Sequence, residues 1–126
     1  GNKKSSGYSD KYSIGLPMSI VVNVKTGCAA EYFAAVLKDF KKANIIGISS
    51  LGKTALQEIK PLTDGSAINL TVSHFLTPSG TDLTDVGIKP DYEVKLTSEQ
   101  EEMFSTLTEE TDPQLKKAIE VVNSKK

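Results

Sequence analysis

The chain has 126 residues, about one domain and enough for a modest core. With 38% hydrophobic and 25% charged residues, a net charge of −1 and no Trp, it has the composition of a globular domain, and no apolar run approaches the ~20 residues of a membrane span. That balance gives no indication of a bulk attraction to nucleic acid or anionic lipid, and the single cysteine, Cys28, excludes an intrachain disulfide and a cysteine-based zinc cluster.

The first sixteen residues, GNKKSSGYSDKYSIGL, are polar and aperiodic and lack the apolar stretch of a signal peptide. They read as a loop, a linker or an artificial start. From Pro17 the pattern sharpens. MSIVVNV (18–24) is the continuous β-branched run expected of a strand buried on both faces. After the break at Lys25-Thr26-Gly27-Cys28, Phe33, Val36, Leu37 and Phe40 recur at helical spacing with Lys38, Lys41 and Lys42 turned away, which predicts an amphipathic helix. Cys28 falls at the junction, and Glu31 stands where a capping-box acid would reach back to the N–H of residue 28.

NIIGI (44–48) predicts a second strand parallel to the first, closing a βαβ unit. TALQEIKPL and SAINLTVSHFL flank Thr63-Asp64-Gly65 and predict a hairpin, its second arm alternating Ile68, Leu70 and Val72 inward. TPSGTDLTDVGIKPD reads as loop, YEVKL as a short strand, and Asp112-Pro113 opens a helix with Leu115, Ala118, Ile119 and Val122 on one face. No internal repeat or domain boundary shows.

Gly47 through Thr54, GISSLGKT, matches the phosphate-cradling pattern G-x-x-x-x-G-K-S/T and follows a plausible strand. Its context fails, because such a loop must open a long helix whose N-terminal N–H groups hold the phosphates, and here Pro61 and a hairpin follow within a few residues. A nucleotide-binding domain is therefore a remote alternative. Cys28 by itself is either a buried apolar filler or a reactive thiol. His74, the single histidine, shares the face of Ile68, Leu70 and Val72 and reads as a strand-end residue rather than a base.

Read together, Asn23 through Glu31, Asp39, Gly52-Lys53, Gln57, Asp64-Gly65-Ser66, Thr77-Pro78-Ser79-Gly80, Gly87-Ile88, Pro90-Asp91 and Asp112-Pro113-Gln114-Leu115 follow one order. That order resembles the C-terminal processing peptidases, family S41, the tail-specific and photosystem-processing proteases. There a strand ends in a run like N-x-x-S-A-S-A-S-E, followed by a helix, a G-K-G-x-V-Q turn, a hairpin, and T-P-x-G then G-I-x-P-D. The resemblance covers about residues 17–121.

The resemblance implies an α/β fold of the ClpP/crotonase-like kind: a mixed sheet with the βαβ unit, an attached hairpin and outer helices. Residues 17–126 would be the C-terminal part of a catalytic domain whose N-terminal part and PDZ domain lie outside the 126 residues. It places the nucleophile at Cys28, the lysine of a Ser/Lys dyad at Lys53, 25 residues on (53 minus 28), and the lysine-orienting glutamine at Gln57. The Ala29 N–H becomes half of the oxyanion hole.

The chemistry explains the residue types. A thiol or hydroxyl needs a base, and a lysine serves as one only when desolvation brings its pKa from about 10.4 towards neutrality, so Lys53 is expected to be buried. Here cysteine replaces the serine, and Thr54 replaces the second glycine of the lysine turn. A thiol is more acidic than a hydroxyl, so Cys28 and Lys53 are expected to rest as a thiolate–ammonium pair without a free base. The resemblance also implies a PDZ domain and an upstream glycine-bearing strand completing the oxyanion hole, neither among these 126 residues, so this chain alone is expected to be inactive. The competing reading is a peptidase-fold binding or scaffold protein that has lost turnover. A peptidase would take the C-terminal region of a protein as substrate, outside the cytoplasm (periplasm or cell envelope), with no nucleic acid, metal or cofactor. An uncovered sheet edge makes a homodimer possible.

Overall fold

A computed structural model describes residues 11, 12 and 14–125. Most of the 1–16 stretch read as a linker lies outside the described residues; Ile14 and Leu16, which are within them, are exposed.

The chain enters β1 (Met18–Val22), crosses by α1 (Ala29–Asp39) to β2 (Ala43–Gly47), and projects the hairpin β3 (Ala55–Pro61) and β4 (Ala67–His74). It returns through a long loop to β5 (Tyr92–Glu93), then α2 (Ser98–Glu102) and α3 (Pro113–Asn123). β1, β2 and β5 form a parallel sheet in the order β1-β2-β5, with Met18 opposite Ala43 and Ile46 opposite Tyr92. β3 and β4 pair antiparallel as a separate two-stranded sheet.

The core lies around β2. Ile45 and Ile46 point to opposite faces, and both are fully buried, so both faces must be covered. α1 does this on one side, where Ala34 and Ala35 cluster with Val22, Ile45, Leu83 and Ile88. α3, packed on β1 and β2, contributes the buried Ala118 and Val121. Each buried isoleucine contributes about 2 kcal/mol.

Several expected burial patterns shift. β1 is an edge strand with Val21 40% exposed, so the β-branched run is not buried on both faces. In α1 the buried stripe is Glu31, Ala34 and Ala35, while Phe33 and Phe40 are 63% and 61% exposed. Positions 31, 34, 35 and 38 have the same helical spacing as 33, 36, 37 and 40, and the small residues win because they let α1 approach the sheet. Lys38 accordingly does not turn away: its Nζ pairs with Asp91 Oδ1 at 2.9 Å and donates to the Lys89 carbonyl. In α3 Gln114, Ala118 and Val121 are buried, and Leu115 is at the surface. The hairpin is exposed along β4 on both faces, Ile68, Leu70 and Val72 included, so these side chains are not inward among the described residues.

α2 was not expected. Thr97 and Gln100 form a full capping box there, a T-x-x-Q signal legible in the sequence. The long loop is loop as read, yet it supplies Leu83 and Ile88 to the core.

At the end of α1, Asp39 accepts the Ser79 N–H at 2.8 Å, and this bond, with those from the Thr77 and Ser79 hydroxyls, holds its carboxyl below the ordinary 3.8. A carboxyl depressed in the folded state adds stability above its unfolded value and loses it as pH falls through the folded one. Melting from pH 6 to 2 should therefore drop slightly less steeply for Asp39→Asn below about pH 4 than for the parent chain, a small difference because the half-buried group remains near solvent. An identical slope would remove this role.

Candidate active site

Two loops make the site. Beyond β1, Asn23 and Thr26 knot the chain through Asn23 N–H to Thr26 Oγ1 (3.1 Å) and Lys25 N–H to Asn23 Oδ1 (2.9 Å). The knotted segment then pairs with the loop after β2. The Leu51 N–H donates to the Thr26 carbonyl at 2.8 Å, and the Cys28 N–H donates to the Lys53 carbonyl at 2.9 Å. Residues 28 and 53, 25 apart in sequence, are thus direct backbone partners.

Cys28 caps α1 with φ 54° and ψ −126°, a backbone region that L-residues rarely adopt, and its side chain is exposed. Such a strand-to-helix elbow lifts a side chain clear of its neighbours. Ala29 follows at the first helical position, where the N–H has no carbonyl partner within the helix. Both line an apolar cleft of about 580 Å³ with Tyr32, Val36, Leu56 and Phe75. The Tyr32 and Phe75 rings stand 5.4 Å apart.

Glu31 does not close a capping box. It is fully buried in the first turn of α1, and its carboxylate accepts the Ser50 hydroxyl, the Gly52 N–H at 2.5 Å and the Lys53 N–H at 2.9 Å. The acid expected at the helix start instead clamps the lysine loop. An S/T-x-x-E-like spacing cannot tell a local cap from a tertiary acceptor, so sequence reasoning missed this role.

Of the predicted site residues, the structure brings Cys28, Ala29 and Lys53 together. Lys53 is held by its backbone on both sides, while its side chain is exposed rather than buried as expected. Gln57 lies on β3 beside a bulge at Leu56/Gln57, exposed, and its Oε1 accepts from Asn69 Nδ2 at 3.1 Å across the hairpin. His74 contacts Thr84 Oγ1 at 3.1 Å through Nδ1, in keeping with a strand-end role.

The nucleotide-loop pattern has a packing explanation. A Cβ at Gly47 would lie 2.1 Å from the Val22 carbonyl oxygen, and one at Gly52 2.8 Å from the Val86 nitrogen, with φ +119° and +78°. Thr54 leads into a strand and not into a helix. Both glycines are required by neighbouring backbone. Among the described residues, no three His, Cys, Asp or Glu side chains group as metal ligands, and no helix is long and apolar enough to cross a membrane.

A parallel sheet with a crossover helix, an elbow at positive φ after the first strand and the 50–54 loop paired to it make an α/β domain whose candidate site lies at that junction. The sequence model of peptidase family S41 matches residues 1–94, and the chain belongs to that family. It is 35% identical over 97 residues to the chloroplastic C-terminal processing peptidase of Tetradesmus obliquus, covering 71% of this chain and 21% of that protein. The solved photosystem II D1 C-terminal processing protease superposes with a TM-score of 0.62 at 36% identity, over 64% of this chain and 21% of that one. The tricorn protease shares the fold alone, with a TM-score of 0.66 at 20% identity over 84% of this chain and 10% of its own. The chain thus spans about a fifth of the length of the processing peptidases it matches.

Proposed function

We propose that this chain carries the nucleophile-and-base part of a C-terminal processing peptidase, with Cys28 in place of the nucleophilic serine. The observation that carries the reading is the 2.9 Å bond from the Cys28 N–H to the Lys53 carbonyl, which joins the two positions by their backbones. Lys53 would take the thiol proton, and the sulfur would attack the scissile carbonyl. The Ala29 N–H faces the oxyanion, and collapse leaves a thioester while the departing amine takes the proton back from Lys53. Water, deprotonated by Lys53, then hydrolyses the thioester. Gln57 would orient the ammonium through its Oε1, the oxygen that accepts from Asn69. Lys53 must also be covered during reaction, by bound peptide or by other chain, because an exposed ammonium is a poor base.

The substrate would be an extended protein C-terminus entering as an added strand, its side chain in the apolar cleft beside Cys28. A location outside the cytoplasm and a homodimer through uncovered strand edges belong to the same proposal. Light scattering at high concentration tests the dimer, and a single monomer species would remove it.

The exposed Lys53 and the Gln57–Asn69 bond favour a second reading, a peptidase fold kept for binding without turnover. The longest native gene product should be assayed on an unstructured protein with an apolar C-terminus, comparing Cys28, Cys28→Ser and Lys53→Ala. Cleavage by the Cys28 form is expected to fall at least about 100-fold in Lys53→Ala. Cleavage by Cys28→Ser alone would mean a site silenced by one atom, and none in any form would support the scaffold.

A further inference from the structure

We propose that Ser50 is a positioning residue for the Cys28–Lys53 pair, an inference that rests on the dyad reading above. Ser50 is only 8% exposed, and its hydroxyl does two jobs at once. It donates to Glu31 Oε1 and accepts the Ile88 N–H at 2.7 Å. The Ser50 N–H in turn donates to the Ile88 carbonyl at 3.3 Å. A Cβ at Gly87 would lie 2.3 Å from the Ser50 carbonyl oxygen, so the two segments touch backbone to backbone.

The consequence runs to the lysine by named bonds. The carboxylate that Ser50 steadies also takes the N–H groups of Gly52 and Lys53, the Gly52 carbonyl accepts the Asp85 N–H at 2.8 Å, and the Lys53 carbonyl accepts the Cys28 N–H. One buried hydroxyl therefore links the nucleophile's helix, the lysine loop and the segment around Ile88. Removing it orphans the Ile88 N–H and frees one edge of the carboxylate, and a buried network left half-satisfied loosens as a unit. The expected result is a lysine loop that no longer holds one register against Cys28.

The test reads the thiol of the full chain, unambiguous because Cys28 is its single cysteine. Iodoacetamide alkylation rates are measured from pH 6 to 9 for the parent, Lys53→Met, Ser50→Ala, Ser50→Thr and the Ser50→Ala/Lys53→Met double variant, with folding checked by circular dichroism. Lys53→Met is expected to slow alkylation at pH 7 about threefold, because a thiolate reacts faster beside a cationic side chain. Ser50→Ala should slow it in the same direction, Ser50→Thr should restore it, and the double variant should be no slower than Lys53→Met.

Parental behaviour in Ser50→Ala, or additive losses in the double variant, would overturn the positioning role while leaving the dyad intact. An unchanged Lys53→Met profile would sink the dyad reading and this inference with it. Should Ser50→Ala fail to fold, hydrogen exchange on the parent chain decides: the Gly52, Lys53 and Ile88 amides should exchange as one unit, and rates differing by more than about tenfold would refute the link.

Discussion

Gly47→Ala should give a chain with no cooperative unfolding transition at 25 °C. Gly47 ends β2, the middle strand of the parallel sheet, and its carbonyl accepts the Val94 N–H at 2.8 Å. Its φ of +119° is unsuited to an L-residue, and an added Cβ would meet the Val22 carbonyl oxygen at 2.1 Å. That oxygen belongs to the β1–β2 ladder and accepts the Ile48 N–H at 3.2 Å, so relief requires the ladder itself to part. A cost above about 4 kcal/mol follows, comparable to a marginal domain's whole stability. Gly65→Ala is the control, since its φ is +89° but nothing lies within 4 Å, and it should cost only the left-handed penalty of roughly 1 kcal/mol. Equal melting of the two variants would refute the close-approach account.

Glu31→Ala should lower stability by about 3 kcal/mol, the sum expected when three donors around a buried carboxylate lose their acceptor. Those donors are the Ser50 hydroxyl and the N–H groups of Gly52 and Lys53. The melting temperature should fall by roughly 10 °C for a domain of this size. Glu31→Gln keeps the volume but turns an amide N–H towards backbone donors, so it should recover only part of the loss. A denaturant titration placing Glu31→Ala within about 0.5 kcal/mol of the parent would mean that water replaces the carboxylate there.

The hairpin and the parallel β1–α1–β2 unit were legible in the sequence because strand runs and turn residues are local signals. The resemblance singled out positions 28 and 53, and the fold pairs their backbones through the Cys28 N–H and the Lys53 carbonyl. The resemblance assigns Gln57 to the lysine, and in the folded chain its amide oxygen accepts from Asn69 across the hairpin. Glu31 carried a local cap signal, and the fold used it across 21 residues of sequence.

The sequence by itself determined the kinds of elements, their order and the family pattern, since periodicity, turn chemistry and motif spacing are written along the chain. Tertiary structure alone decided which helix stripe meets the sheet, why Gly47 and Gly52 must be glycine, and how Ser50 and Glu31 hold the lysine loop. Those outcomes depend on which backbones approach closely and which buried donors find an acceptor, and both are settled only when distant segments pack against one another.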